Sequence, residues 1–197
     1  MIPALVLAAG KSSRMGRTKA LLPLGGETFV SRIVRTFRSA GVEDVVVVVG
    51  HDAELVSDAL GGMDLAPRVI LNTDYESGQL SSILAGLRAV DRPGVAAMLM
   101  TLVDVPLVSA ETVRAVLMRY RSTSAPVVRP VNGNRHGHPV LIDRRLFGQF
   151  RGADSTSGVK PIVRAHASAV GDVEVSDEGA FTDIDTPEEY AAVADRR

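Results

Sequence analysis

Val45–Val49 is an unbroken run of five valines, and it narrows the folds open to this chain more than any other stretch. β-Branched side chains are stiff at χ1 and suit an extended strand. A strand with one wet face alternates apolar and polar residues, whereas five valines in succession leave no face for water. Such a strand belongs inside a sheet that is covered on both sides, which is the usual setting of parallel strands. Pro3-Ala4-Leu5-Val6-Leu7 and the stretch from Val95 to Leu102 read as buried strands too, and Val69-Ile70-Leu71 as a shorter one.

Helical spacing fills the intervals between these strands. Thr28 to Ala40 places Phe29, Val30, Ile33, Val34 and Phe37 along one face, with Gly41 to close it. Asp52 to Leu60 reads as a helix, as do Ser77 to Val90, with Ser77 as its N-cap, and Ala110 to Tyr120. That β-α-β-α order implies an α/β fold: an open, mostly parallel sheet with helices on both faces, in which ligands bind beyond the carboxyl ends of the strands. After Ala125 the texture changes. Val127 to Val131 and Pro139 to Ile142 are expected to be two strands joined through Asn132-Gly133, a small antiparallel insertion at the edge of the sheet. Gly152 to Gly158 is polar and reads as a mobile loop. A short strand near Phe181 to Ile184 and a helix from Thr186 to Ala194 close the chain. Thr186 is the expected N-cap, Pro187 the first helical residue, and Glu188 and Glu189 the first-turn acids. A chain of 197 residues fits a single domain over positions 1–197.

The first strand runs straight into Ala8-Ala9-Gly10-Lys11-Ser12-Ser13-Arg14-Met15-Gly16-Arg17-Thr18-Lys19, a loop with four cations and no acid. Glycines let backbone N–H groups approach a ligand, consecutive N–H groups make an anion-binding concavity, and Arg and Lys match phosphate oxygens. Two of the chain's three lysines, 11 and 19, lie here. Lys11 and Ser12 follow Gly10 as in a Walker A loop, but the earlier glycine would have to stand at Leu5, inside the strand. Gly10 and Gly16 have five residues and no glycine between them, so the dinucleotide-binding spacing fails as well. The loop is a phosphate cradle of another kind.

Carboxylates stand where such a cradle can use them. Asp104 follows the apolar run Met98–Val103, with Pro106 stiffening the turn behind it. It suits a magnesium ligand, and on position alone it suits a turn cap equally well. Asp183 and Asp185 are two apart and would point to the same side of a strand. Either completes a magnesium site with Asp104, or merely fixes the start of the last helix. Gly78-Gln79-Leu80-Ser81-Ser82 opens a helix, and its N–H groups and hydroxyls suit either nucleotide contact or plain capping. His51 follows the valine run and is placed to line the cleft. His138, beside Gly137 and Pro139, reads as a turn or core residue on its own, and His136 and His166 carry no signal. Lys160 is either an acceptor-phosphate contact or a solvated helix residue, with the latter favoured.

Composition removes other classes. The net charge is −1 and aromatic residues make up 4%, with no tryptophan, so neither bulk electrostatic binding of nucleic acid nor a base-stacking surface is expected. Cysteine is absent, which excludes disulfides, thiolate zinc sites and cysteine nucleophiles. No apolar run reaches membrane-spanning length and no leader pattern precedes the first strand, so a cytoplasmic protein is expected. No Ser-His-Asp order and no compact zinc spacing is present.

Leu7-Ala8-Ala9-Gly10-x-Ser12-x-Arg14-Met15-Gly16-x-x-Lys19 resembles the signature of the MobA-like nucleotidyltransferases, and within them the molybdenum cofactor cytidylyltransferase branch. Asp104-x-Pro106, Gly78-x-x-Ser81-Ser82-Ile83, Gly137-His138-Pro139 and Asp183-Ile184-Asp185-Thr186-Pro187-Glu188 are similar to further motifs of that family, with Glu189 where the usual residue is Asp. Asp154 falls where relatives carry a shorter Gly-Asp-x-Gly segment. The resemblance implies a Rossmann-like three-layer α/β/α sandwich of the nucleotide-diphospho-sugar transferase type. Its nucleotide-binding half would cover about 1–105 and its acceptor-binding half about 106–197. It implies that Leu7, Ala8, Ala9, Gly10, Ser12, Ser13, Arg14, Gly16 and Lys19, with Gly78, Ser81 and Ser82, hold the nucleotide. It further implies that Arg14, Lys19 and Asp104 are catalytic, that Asp104, Asp183 and Asp185 hold Mg2+, and that Gly137, His138 and Pro139 face the acceptor.

Cytidylyltransferases of the group tend to carry Leu-Ala-Ala-Gly and guanylyltransferases Leu-Ala-Gly-Gly, so Ala8-Ala9 implies CTP. The implied acceptor is molybdopterin-type molybdenum cofactor, with a molybdoenzyme or its chaperone as recipient of the product, and no nucleic acid or membrane partner. The alternatives are a guanylyltransferase, a sugar- or polyol-phosphate nucleotidyltransferase, and a non-catalytic cofactor-delivery or nucleotide-sensing protein. The last would lack the metal carboxylates.

Overall fold

A computed structural model of the chain describes residues 1–194. Its strands are β1 Ala4–Ala8, β2 Pro23–Leu24, β3 Glu27–Thr28, β4 Val45–Val49, β5 Arg68–Leu71, β6 Ala97–Leu102, β7 Val127–Asn132, β8 Arg135–His136, β9 Val140–Asp143 and β10 Asp172–Glu174. The helices are α1 Phe29–Ser39, α2 Ala53–Gly61, α3 Gln79–Val90, α4 Ala110–Thr123, α5 Phe147–Arg151, α6 Lys160–His166 and α7 Pro187–Ala191. Eight strands form one sheet in the order β10-β7-β9-β6-β1-β4-β5, with β8 paired to β7, while β2 and β3 make a separate hairpin. β6, β1, β4 and β5 run parallel to one another.

The valine run does what its composition demands. Val45, Val47 and Val49 pack into one layer with Val30, Ile33 and Phe37 of α1, Val56 and Leu60 of α2, and Val113 and Val116 of α4. Val46 and Val48 pack into the opposite layer with Ile83 and Leu87 of α3 and Phe147 and Phe150 of α5. β1 divides in the same way, with Ala4, Val6 and Ala8 on one side and Leu5 and Leu7 on the other. The result is the expected Rossmann-like three-layer sandwich. Fully burying one such aliphatic side chain contributes about 1.5–3 kcal/mol, so two packed layers supply the main stabilisation.

Several local expectations are corrected. The antiparallel insertion is not at the edge: β9 lies between β6 and β7 and is antiparallel to both. Leu141 enters one core layer and Ile142 the other, so this strand also needs cover on both faces. The Asn132-Gly133 turn joins β7 to the short β8, pairing Asn132 with Arg135, rather than joining it to β9. α3 is capped by Gly78 and not by Ser77, because Gly78 sits at φ 104 and ψ 177, where a helix cannot continue and side chains are strained. Ser77 instead bonds Asp74 in the preceding turn. Gly152 to Gly158 is a loop, as expected, and within it the Asp154 carboxylate accepts the N–H groups of Thr156 (2.9 Å) and Ser157 (3.0 Å). Residues 181–184 form no strand. A 3-10 turn over Glu178–Phe181 leads into extended chain held by one backbone bond, Ile184 N–H to the Asp104 carbonyl at 2.8 Å. α7 stops at Ala191, short of the expected Ala194. Glu189, the residue that departs from the family form, closes a capping box with Thr186.

The far edge of the sheet, away from the strands' carboxyl ends, is tied by a buried polar contact at the end of β9. Tyr120 of α4 donates to Asp143 Oδ2 (2.8 Å), and Arg145 donates its N–H (2.8 Å) and Nε–H (2.9 Å) to Oδ1. Burial opposes ionisation of Asp143, but Arg145 and Tyr120 outweigh it and hold the carboxyl below the usual carboxylate range. Burial, and then Asp143 itself, push the Tyr120 hydroxyl up to about 12. A carboxyl with a depressed folded pKa stabilises the fold above its unfolded pKa, ~3.9, and loses that contribution as pH falls through the folded value. Tyr120→Phe should therefore cost about 1.5–3 kcal/mol at pH 7 by urea denaturation. The difference from wild type should shrink as pH drops below ~3.9. A pH-independent penalty would count against this account.

Candidate functional site

From β1 the chain crosses to β4 and β5 on one side, then returns to place β6 on the other side of β1. The loops leaving β1 and β6 therefore part company, and the crevice between them is the switch point where α/β sheets bind ligands. A cleft of about 380 Å³ lies there. The first loop gives it Ala9, Gly10, Ser12, Ser13 and Arg14, and Lys19 follows; Leu7 forms part of the floor. The end of β6 gives Leu102, Val103 and Asp104, the β5–α3 connection gives Tyr75 and Gly78, the first turn of α3 gives Gln79 and Ser82, and the C-terminal segment gives Asp185.

The loop is pinned at both ends. Ser12, at φ 52, accepts the Lys19 N–H at 3.1 Å and starts a turn closed by Met15 N–H. Met15 is buried with Leu22, Leu24, Phe29 and Ile184. Thr18 donates to Asp52, just before α2. Gly16, at φ 69, lets the backbone turn but stays outside the cleft. Ala8 also stays outside, facing the α1 layer, while its neighbour Ala9 faces the cleft.

Lys19 is 8% exposed on a single 3-10 turn. A buried ammonium is costly unless it is paired, and two acids pair it. Its Nζ contacts Asp185 Oδ1 and lies 3.4 Å from Asp104 Oδ2, while the Arg14 guanidinium lies 2.8 Å from the other Asp185 oxygen. The Lys19 hydrogen bond, with Arg14 behind it, holds Asp185 below the usual carboxylate range. Asp104 moves the other way. Burial raises its pKa, Lys19 opposes this, and the nearby charges of Asp183 and Asp185 add to the rise. Its Oδ1 is buried with no hydrogen-bond partner. Asp183 is exposed and lies outside the cleft lining, yet its charge is felt at both Asp104 and His138. Ile184 between the two acids is fully buried, and no strand forms to set the alternation expected of Asp183 and Asp185. Among the described residues, no cluster of three or more acids or histidines is arranged to hold a metal. Asp104, Asp183 and Asp185 thus lie near one another without forming a ready-made cage.

The two serines expected to meet a nucleotide have different surroundings. Ser81 is outside the cleft lining, and its Oγ lies 2.8 Å from the carbonyls of both Asp74 and Gly78. Ser82 faces the cleft. Gly137, His138 and Pro139 do not line this cleft. They pack beside it, with His138 N–H on the Ala180 carbonyl (2.8 Å) and its Nδ1 3.5 Å from the Met100 carbonyl. Burial lowers the His138 pKa, against the pull of the Met100 carbonyl, Asp183 and Asp104. His51 lies behind Tyr75, ring centroids 6.3 Å apart, rather than in the cleft wall. Lys160 is exposed at the first position of α6.

Sequence reasoning missed Tyr75, Gln79 and the buried Asn72. Gly50 makes room for Tyr75, a link that no local sequence signal shows. A Cβ there would come within 2.7 Å of Tyr75 Cβ and 2.9 Å of the Ala9 carbonyl, so only glycine lets the ring sit against the first loop.

The model of the MobA-like NTP transferase domain matches residues 4–170. Nicotine blue oxidoreductase of Paenarthrobacter nicotinovorans is 33% identical, over 95% of this chain and 94% of its own length. Purine catabolism protein PucB of Bacillus subtilis (strain 168) is 31% identical, over 95% and 93%. The crystal structure of Rv0371c from Mycobacterium tuberculosis H37Rv in complex with manganese superposes with a TM-score of 0.81 at 25% identity, covering 100% of this chain and 99% of that one. With the family match running from β1 past α6 and the cleft at the sheet's switch point, the chain belongs to the MobA-like NTP transferase family and is a nucleotidyltransferase.

Proposed function

We propose that this protein transfers CMP from CTP to a molybdopterin-type molybdenum cofactor and releases pyrophosphate, with Mg2+ as the metal. The observation that carries the reading is the buried Lys19, held with Arg14 at a crevice whose other wall is Asp104. Ala9 in the cleft lining supports cytosine over guanine, because the guanylyltransferase form has glycine at this position and lacks the β-carbon that narrows the pocket. The family membership supports nucleotidyl transfer, and the manganese complex of the Mycobacterium protein supports use of a divalent cation.

The residues present fit a magnesium ion, since Asp104 Oδ1 is a buried acceptor with no partner in the protein. Asp104 with Asp183 would hold it, the usual pattern being one or two carboxylates plus substrate phosphates. When bound, it would neutralise charge on the phosphate oxygens. Lys19 and Arg14 bind the triphosphate, and Asp185 keeps both cations aimed into the cleft before the nucleotide arrives. An acceptor phosphate oxygen forms a bond to the α-phosphorus, the bond from the α-phosphorus to the β-phosphate oxygen breaks, and pyrophosphate leaves. The attacking oxygen is already ionised, so no strong general base is needed. Positioning and fixed charge supply most of the acceleration. His138, whose pKa is lowered by burial, would offer the acceptor a hydrogen-bonding ring in its uncharged form. The product would pass to a molybdoenzyme or its chaperone.

Purified protein given Mg2+ and molybdenum-loaded molybdopterin should release pyrophosphate from CTP and not from GTP. Turnover with a sugar phosphate in place of the cofactor would overturn the acceptor. Asp104→Asn should lower kcat/KM by about 10²–10³ while leaving thermal stability at or above wild type; full activity would remove Asp104 from the metal site. Ala9→Gly should relax the CTP-to-GTP ratio of kcat/KM by roughly tenfold, and an unchanged ratio would assign base choice elsewhere.

A further inference from the structure

Asn72, the residue that follows β5, is buried at 5% exposure and outside the reacting centre. Its amide is oriented by an unambiguous donor, because Oδ1 accepts the Asp74 N–H at 3.1 Å. That leaves Nδ2 facing the serines, 2.9 Å from Ser81 Oγ and 3.0 Å from Ser82 Oγ. An amide nitrogen only donates, so both hydroxyl oxygens must accept from it. The Ser81 proton goes to the Asp74 or Gly78 carbonyl. Ser82 Oγ has Asn72 as its one hydrogen-bond partner among the described residues, its residue is 5% exposed, and it opens onto the cleft. Its proton is left for the ligand.

We propose that Asn72 is a positioning residue for nucleotide selection: it fixes Ser82 as a hydrogen-bond donor into the Tyr75–Gly78 end of the cleft, where Ser82 recognises an acceptor atom of the nucleobase. The Lys19–Asp104–Asp185 cluster lies among the other lining residues and takes the phosphates, so the two ends read different parts of one nucleotide. A hydroxyl free to rotate would suit a base donor or acceptor equally. One that already accepts from a buried amide on one of its two lone pairs discriminates, because a base acceptor pairs its proton whereas a base donor on the remaining lone pair leaves that proton unpaired. The assignment rests on the nucleotidyltransferase reading of this cleft.

The test uses the full chain with Mg2+ and measures Kd for each of the four nucleoside triphosphates by calorimetry, then KM and kcat for the one that binds best. Ser82→Ala should raise Kd and KM for that nucleotide by roughly three- to tenfold and leave kcat unchanged, the effect of one lost hydrogen bond. Asn72→Asp keeps the shape and the bond from Asp74 N–H but turns the donor into an acceptor, which draws the Ser82 proton away from the ligand. It should weaken binding as much as Ser82→Ala, and the double variant should be no weaker than either. Asn72→Asp with wild-type affinity, or additive losses in the double variant, would overturn the relay. Preference for a triphosphate other than CTP removes the cytosine assignment alone, because the relay is then read on the preferred nucleotide. Failure to bind any triphosphate overturns both.

Discussion

A single buried ammonium organises the functional end of this molecule. Lys19 sits where water is largely excluded, so its charge must be answered by protein carboxylates. Those come from two separate places, the end of β6 and the C-terminal segment. Asp185 in turn holds Arg14 of the first loop. Charge balance around one atom therefore fixes the relative placement of three segments that share no strand pairing in the sheet. The two acids split: the Lys19 hydrogen bond, with Arg14, lowers the pKa of Asp185, while burial raises that of Asp104 against the pull of Lys19.

The contact between Lys19 and Asp185 closes 166 residues of chain. Such closures add nothing to the sheet, and the loop entropy they cost must be offset by contacts made elsewhere. The two core layers supply those contacts. In turn the C-terminal segment needs only one backbone bond to Asp104, a buried Ile184 and the capping box of α7 to keep its acids in place. The sheet makes the site possible, and a short tail completes it.

Much of this was legible in the chain. The valine run, the helical spacing of Phe29 to Phe37 and the donor-rich loop after β1 report burial and local conformation, which are properties of a few neighbouring residues. Arg14, Lys19, Asp104 and Asp185 were readable because their motifs are local, and the cleft gathers them. What was not legible depends on partners far off in sequence. Nothing in Pro139 to Ile142 tells whether that strand ends a sheet or is inserted within one, since the answer lies in β6 and β7. Asn72 looks like an ordinary polar residue after a strand until the serines nine and ten positions on fold back over it. Ser81 and Ser82 are equivalent in sequence and differ only in which way α3 turns each one.

The interior position of β9 has a mechanical consequence. Because β9 is hydrogen-bonded to β6 on one side and β7 on the other, the parallel strands that border the cleft and the strands that flank Gly137-His138-Pro139 are parts of one continuous ladder. Closing two such halves on a ligand like a clam would mean tearing a sheet through its middle. The frame cannot hinge there, so adjustment to substrate falls to the segments that cross its upper rim: the first loop, the turn carrying Tyr75 and the tail carrying Asp185.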